Sequence, residues 1–270
     1  MENHLIPLFL LGTTASIIGN MIGFGGGIFI IPILVIVFKA PMSIAVGSIT
    51  ICVLLASGIS TFFNFKNRRI DMKIAIAMEI PTIIGAIIGA ELTAFLPLKI
   101  FEILFSFFVA LIGIKMLRPS RPHTDTQLSF SARLNKRPPL IHSSRGHVIS
   151  VWVAGIFGGL AGVVAGLFGI GGGFLKTPVM IRVVKLPVQV AVSTSLFMIV
   201  FTSLTASFSH FFLGHIDFHF ATPLALGFGT GALVAQRLKR ISDSTIEKFV
   251  GIGLLVASLS VLIDALILKP

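Results

Sequence analysis

Two stretches of this sequence, GFGGGIFIIP at 23–32 and GIGGGFLKTP at 169–178, carry one glycine cluster and one proline in the same order, 146 positions apart. At that constant offset Gly23, the triplet Gly25, Gly26, Gly27 and Pro32 fall on Gly169, Gly171, Gly172, Gly173 and Pro178. The register continues without a gap, placing Pro41 on Pro187, Ser48 on Thr194, Ser57 on Ser203, Phe62 on Phe208, and Ile70-Asp71 on Ile216-Asp217. An internal repeat of this length makes the chain two copies of one unit. Farther on, PTIIGAIIGA at 81–90 matches PLALGFGTGA at 223–232 at an offset of 142, which predicts a second copy shortened between its second and third long helices.

The surroundings of the glycines set the solvent. Only 11% of the 270 residues are charged, against roughly a quarter in soluble domains, and the mean hydropathy is +1.02. Apolar runs recur along the chain, most of them near the ~20 residues that cross a bilayer as a helix. None shows the two-residue alternation of a barrel strand. The fold class is therefore an all-α, polytopic membrane protein, multi-pass in a bacterial-type cell inner membrane. The N-terminus MENHLIPLFLLG has no Lys or Arg ahead of its apolar run, so it reads as the first membrane element rather than a cleaved signal. The single cysteine, Cys52, sits in an apolar run and reads as packing. The net charge of +11 is assigned to loops, not to nucleic acid.

The organisation is a first transmembrane repeat at 1–117, a basic, cytoplasmic linker at 118–147 and a second transmembrane repeat at 148–270. Loop charge orients the copies. If 5–38 were one span, the loops would divide twelve positive residues against eight. If the chain instead reverses at each glycine cluster, seventeen fall on one side and only Lys39, Lys99 and Lys269 on the other, with Lys176 set aside. That split favours two inverted-topology repeats. The equivalent loops agree, since NFKNRRID at 64–71 is basic and its partner HFFLGHID at 210–217 has lost every Lys and Arg.

Consecutive glycines inside a helix cost roughly 1 kcal/mol each relative to alanine, and irregular backbone at membrane depth survives only against protein or water. Each cluster therefore predicts a broken helix followed by a half-helix of eleven or twelve residues, about 28–38 and 174–185. A half-helix starting after the glycines turns free N–H groups and the positive end of its dipole toward the cluster, a seat for an anion. A dinucleotide fingerprint fails, because Ile28 and Phe174 occupy its last position. Tight packing through small residues is the better account of Gly155, Gly159, Gly162 and Gly166 and of Gly85 and Gly89.

These residues resemble the sulfite exporter TauE/SafE family of membrane permeases. The resemblance rests on the duplicated G-x-G-G-G-x-x-x-x-P segments, on AVGS at 45–48 and AVSTS at 191–195, and on the duplicated architecture. It implies transport of small, mostly sulfur-containing anions such as sulfite or organosulfonates. The first copy has Gly47-Ser48-Ile49 where the second has Ser193-Thr194-Ser195, so an asymmetric site is expected.

The candidate substrate site comprises the two glycine clusters with Asn20, Ser48, Thr50, Thr194, Ser195 and Lys176. The hydroxyls and amide are donors to anionic oxygens, weighed against back-bonding within their own helices. Lys176 stands where the first copy has Ile30, and either binds the anion or snorkels to an interface. Glu79, about 12 Å into a helix that begins at Asp71, is the proton-coupling candidate. Lys73 is six residues away and gives no helical pairing, so any partner lies on another helix. Glu91, Glu102 and Asp264 read as solvated at membrane boundaries, Asp71 and Asp217 as helix N-caps, and His210, His215 and His219 as a wet loop. No metal or cofactor is expected. The partners are the small anion, a coupling proton or ion, and the bilayer. Secondary transport is the leading function; a passive anion channel of the same architecture is the alternative, distinguished by flux that does not saturate. The chain carries no H-E-x-x-H or G-x-S-x-G motif, and is not read as an enzyme.

Overall fold

The computed structural model describes residues 4–117, 133–143, 145–238 and 244–268. The first repeat comprises α1 (Leu5–Ile22), α2 (Gly27–Ile36), α3 (Met42–Lys66), α4 (Met72–Phe95) and α5 (Leu98–Leu117). The second comprises α6 (Val151–Phe168), α7 (Gly173–Arg182), α8 (Val188–Phe212), α9 (Phe218–Arg237) and α10 (Ser244–Ile263), which passes into a short π-helix at Asp264–Leu268. Every helix of the second set starts 146 residues after its counterpart. Among the described residues α1, α3, α4, α6, α8 and α9 are long and apolar enough to cross a membrane.

That constancy corrects the expected shortening of the second copy. Thr82 and Phe228, at an offset of 146, take equivalent places: the Thr82 carbonyl lies where a Cβ on Gly162 would go, and the Phe228 carbonyl accepts from the Ser16 hydroxyl. Small residues recur every four positions in both helices, so a slip of one helical turn matches nearly as well and imitates a deletion.

Each glycine cluster turns the chain back on itself. α1 ends at Gly23, left-handed at φ 80°, and Gly19 O accepts from the N–H groups of both Phe24 and Gly25. Gly25 and Gly26 continue at positive φ, and Gly169, Gly171 and Gly172 repeat the pattern, which residues with a Cβ rarely adopt. The His4 and Phe38 rings pack edge to face with centroids 5.4 Å apart, so the α1–α2 hairpin returns to the end where it began.

Contact register fixes helix direction. Gly158, Gly162 and Gly166 approach the carbonyls of Met78, Thr82 and Ala86 in turn, so α6 runs parallel to α4. Gly227 and Gly231 approach Phe9 and Thr13, so α9 runs parallel to α1. Asn64 near the end of α3 meets Ser193 near the start of α8, and Gly47 near the start of α3 lies against His215 beyond the end of α8, so α3 and α8 are antiparallel. Two further ties join the groups: Asp71, which caps α4, and Glu79 within it meet Thr194 and Thr202 of α8 in order, and Ser48 and Cys52 of α3 meet Asp217 and Ala221 beside and within α9. Hence α1, α3 and α9 run one way and α4, α6 and α8 the other, and each of these helices opposes its repeat counterpart.

Packing is that of a bilayer protein: small residues face inward and large ones outward. On α4, Ala75, Met78, Thr82, Ala86 and Gly89 are buried, while Ile76, Ile80, Ile84 and Ile88 form an exposed stripe. Of the glycines assigned to packing, Gly162, Gly166, Gly85 and Gly89 each leave no room for a Cβ, being backed by another helix's backbone. Gly155 meets nothing within 4 Å and Gly159 only Pro81 O at 3.9 Å. The stripe therefore runs through Gly158, Gly162 and Gly166, one position off the expected Gly155–Gly159 line.

Part of the linker is structured. Strands β1 (Leu140–His142) and β2 (Val148–Ser150) form an antiparallel hairpin. Its Ser143 hydroxyl donates to an Asp71 carboxylate oxygen, and the Arg145 guanidinium donates to the carbonyl of Arg68. Arg68 is left-handed at φ 52°, where its counterpart is Gly214 at φ 70°. A left-handed residue with a Cβ costs roughly 1–2 kcal/mol. Arg68→Gly is therefore expected to raise, and Gly214→Arg to lower, stability to thermal unfolding in detergent by about 1 kcal/mol each; equal melting of the two variants would contradict this.

Candidate functional site

The two glycine clusters meet where α3 crosses α8. A Cβ on Gly173 would collide with the carbonyl oxygen of Gly23, and one on Gly27 would lie 3.2 Å from that of Gly169. The Gly23 carbonyl accepts from Ser195 Oγ at 3.0 Å and from Thr177 Oγ1 at 3.3 Å. In the reverse direction Ile31 and Ile49 stand at those positions, with no hydroxyl to offer. Val53 and Ile199, themselves repeat equivalents, each touch both Gly25 and Gly171 and fill the crossing between the clusters. Neither half-helix has a side-chain cap at its N-terminus.

Polar groups beside each broken helix are organised differently in the two repeats. In the first, Asn20 donates to the Ser16 carbonyl at 2.8 Å and Ser16 Oγ at 3.0 Å, and accepts from Ser60 Oγ at 2.6 Å. In the second, Lys176 rises from the second turn of α7 and its Nζ lies 2.7 Å from Glu79 Oε2 on α4. The same Nζ donates to Thr202 Oγ1 on α8 at 2.8 Å, and that hydroxyl lies 2.6 Å from Glu79 Oε1. Because a hydroxyl has one proton and two lone pairs, Thr202 accepts from the lysine while donating to the carboxylate, closing a ring across three helices. Lys176 is 0% and Glu79 5% exposed. At the symmetry-equivalent positions stand Ile30 and Ala56 of the first repeat and Ala225 of the second.

The candidate residues thus separate. Lys176 and Glu79, read from the sequence as independent groups, are partners; Lys176 reaches no interface, which removes the snorkelling alternative. Ser48 and Thr194 hold protein backbone: Ser48 Oγ accepts from the N–H of Asp217 at 3.0 Å, and Thr194 Oγ1 from that of Asp71 at 3.0 Å. Each hydroxyl thereby ties its own repeat to the helix start of the other, which explains why the position is polar in both copies. Thr50 bonds back to the Gly47 carbonyl at 2.6 Å. Asp71 and Asp217 cap α4 and α9 as expected, accepting from the N–H groups of Ile74 and His219.

Three boundary readings are corrected. Glu102 is buried within α5, and Asp264 is 6% exposed, with Lys39 Nζ 3.8 Å from its Oδ1. His210 is buried in the last turn of α8, its Nε2 3.0 Å from the Gly166 carbonyl and its Nδ1 3.2 Å from Nδ1 of His215. Apolar flanks hide these groups because the helices extend beyond the runs that define them, and neighbouring helices cover their ends. His219 alone of the three histidines is exposed, and burial holds the loop residue His215 below the usual imidazole range.

Thr202, Ser16, Ser60 and Thr177 were not legible as site residues. Thr202 had one usable signal: it lies seven residues after Ser195, two helical turns along the same face of α8.

The model of the family described as Sulfite exporter TauE/SafE matches residues 8–261. Over 266 residues the chain is 30% identical to the probable membrane transporter protein YunE of Bacillus subtilis, covering 93% of this chain and 94% of that one. It is 30% identical to the probable membrane transporter protein MJ0441 of Methanocaldococcus jannaschii over 76% of this chain and 72% of the relative. It is 25% identical to the Bacillus subtilis protein YdhB, another probable membrane transporter, over 90% and 92% respectively. No solved structure matches significantly. A multi-pass membrane architecture and a family match over nearly its whole length place this chain in the sulfite exporter TauE/SafE family, as an integral membrane transporter.

Proposed function

We propose that the protein is a secondary transporter that moves a small anion, sulfite or an organosulfonate, by alternating access between two repeats inverted in the bilayer. The observation that carries this reading is the meeting of two broken helices at the centre of the chain, one of them bearing a buried lysine. The N–H groups of Gly26–Gly27 and Gly171–Gly173, at half-helix starts that carry no side-chain cap, are the backbone part of the anion seat, and Lys176 supplies its charge. The opposed helix directions support inversion, as does the α1–α2 hairpin: with no net crossing there, α3, α4 and α5 give each repeat odd parity. The crowding of Val53 and Ile199 against both Gly25 and Gly171, with both side chains buried, supports a carrier that must move its helices rather than a standing channel.

The reading is tested by thermal shift of the purified protein against sulfite, thiosulfate, sulfoacetate, sulfate and carboxylates. A sulfur oxyanion is expected to raise the melting temperature by mass action, with carboxylates silent, and the same anion is expected to show saturable flux and counterflow in proteoliposomes. Stabilisation by carboxylates alone, or flux that never saturates, would overturn it.

A further inference from the structure

The Lys176–Glu79–Thr202 ring leaves no place for a substrate: in this arrangement the lysine's charge is already taken by a carboxylate of the protein itself. Any anion that uses Lys176 must displace Glu79. The ring is buried, and a displaced carboxylate that stayed ionised beside a bound monoanion would give the site one uncompensated negative charge inside the bilayer. Such a charge is strongly disfavoured.

We infer that the site works by exchange, a singly charged oxyanion taking the place of the Glu79 carboxylate on Lys176 while Glu79 takes up one proton. This rests on the transporter reading and adds the coupling to it. The balance is simple. On one side stand the Glu79 carboxylate, paired with the Lys176 ammonium, a free anion and a proton. On the other stand a neutral Glu79 carboxylic acid and the ammonium paired with the anion. The protein site is neutral before and after, so the moving unit carries one anion and one proton together.

The surroundings make Glu79 the group that takes the proton. α6, packed along α4, has no titratable residue, and α8 has only His210, engaged with Gly166 and His215. The other charged group of α7, Arg182, is exposed, as are Lys73 and Glu91 on α4 and His142 on β1. Thr202 is the positioning residue. Its hydroxyl can turn from donating to Glu79 to donating to the Met198 carbonyl, 3.2 Å away, once the carboxylate is protonated. The symmetry-equivalent positions, Ile30 and Ala56 of the first repeat and Ala225 of the second, carry no ionisable group and allow no such exchange, so one proton moves per turnover and not two.

Methanesulfonate is the probe, because it is an anion at every accessible pH and its own ionisation cannot imitate the effect. Its dissociation constant for the purified protein is expected to rise about tenfold per pH unit once Glu79 is ionised in the free site, as linkage to one proton requires. In Glu79→Gln, which keeps Lys176 available, binding should be tighter and flat with pH. The infrared difference spectrum on binding should gain a carboxylic acid C=O stretch in the wild type and not in Glu79→Gln. Should Glu79→Gln fail to fold, the double variant Lys176→Gln/Glu79→Gln keeps the site neutral; it should fold and bind no methanesulfonate. A pH-independent wild-type constant, a carboxylic acid band that persists without Glu79, or binding by the double variant would overturn the exchange. Absence of methanesulfonate binding to the wild type would also overturn it, while stabilisation by sulfite would leave the transporter reading standing.

Discussion

Gly173→Ala is expected to cost about 3 kcal/mol or more of stability and to abolish transport, while Gly155→Ala on the preceding helix changes neither. The added methyl group at 173 would overlap the Gly23 carbonyl and stand 2.8 Å from Ile199 Cδ1 and 3.0 Å from Ser195 Oγ. Overpacking a well-filled interior typically costs 1–3 kcal/mol, and here the obstacle is backbone, which cannot turn aside as a side chain does. Moving it means separating the two broken helices beside the α3–α8 crossing, where Ser195 and Thr177 hold the same carbonyl. The comparison with Gly27→Ala sharpens the test. There the nearest atoms are Ile49 Cγ2 at 2.7 Å and Val53 Cγ2 at 3.0 Å, side-chain methyls rather than backbone, so a milder loss is expected. Gly155 faces open space within 4 Å and should behave as a neutral surface position. Melting in detergent, read beside flux per folded protein, decides the matter. Equal losses at 27 and 173 would mean that the clusters are not locked through backbone at all.

What could be read in the sequence follows from which interactions are local. The helix breaks at 23–27 and 169–173 were legible because three adjacent glycines are a local statement, and the repeat was legible because the chain states it twice. The caps at Asp71 and Asp217 depend on a side chain and the backbone two or three residues on. The Lys176–Glu79 pair depends on the lysine of α7 reaching across to α4, 97 positions away in the sequence, and no periodicity within either segment encodes that. One indirect signal existed: an acid and a base, each at membrane depth and each without a helical partner, are candidates for one another. Ser48 and Thr194 show the opposite failure. Their recurrence was a true sign of constraint, but the constraint is the tie between repeats, not the substrate. A symmetric position in a duplicated protein is favoured to serve the symmetry, whereas chemistry belongs where the copies differ, as Lys176 differs from Ile30.

That asymmetry makes Lys176 the position where fold and function can be separated. Lys176→Met is expected to lower stability by about 3–5 kcal/mol, since removing one partner of a buried ion pair leaves the other uncompensated. The loss should exceed that of any cavity, because methionine fills nearly the same volume. The double variant Lys176→Met/Glu79→Leu replaces the whole pair by apolar groups, a change that is often neutral or stabilising, and Thr202 keeps the Met198 carbonyl as its acceptor. It should therefore melt within about 1 kcal/mol of the wild type and yet carry no anion. If the pair were only a structural fastener between α4, α7 and α8, the double variant would recover transport together with stability. Recovered stability with transport still absent identifies the charges as working parts, because the symmetry-equivalent junction of Ile30, Ala56 and Ala225 already packs without them.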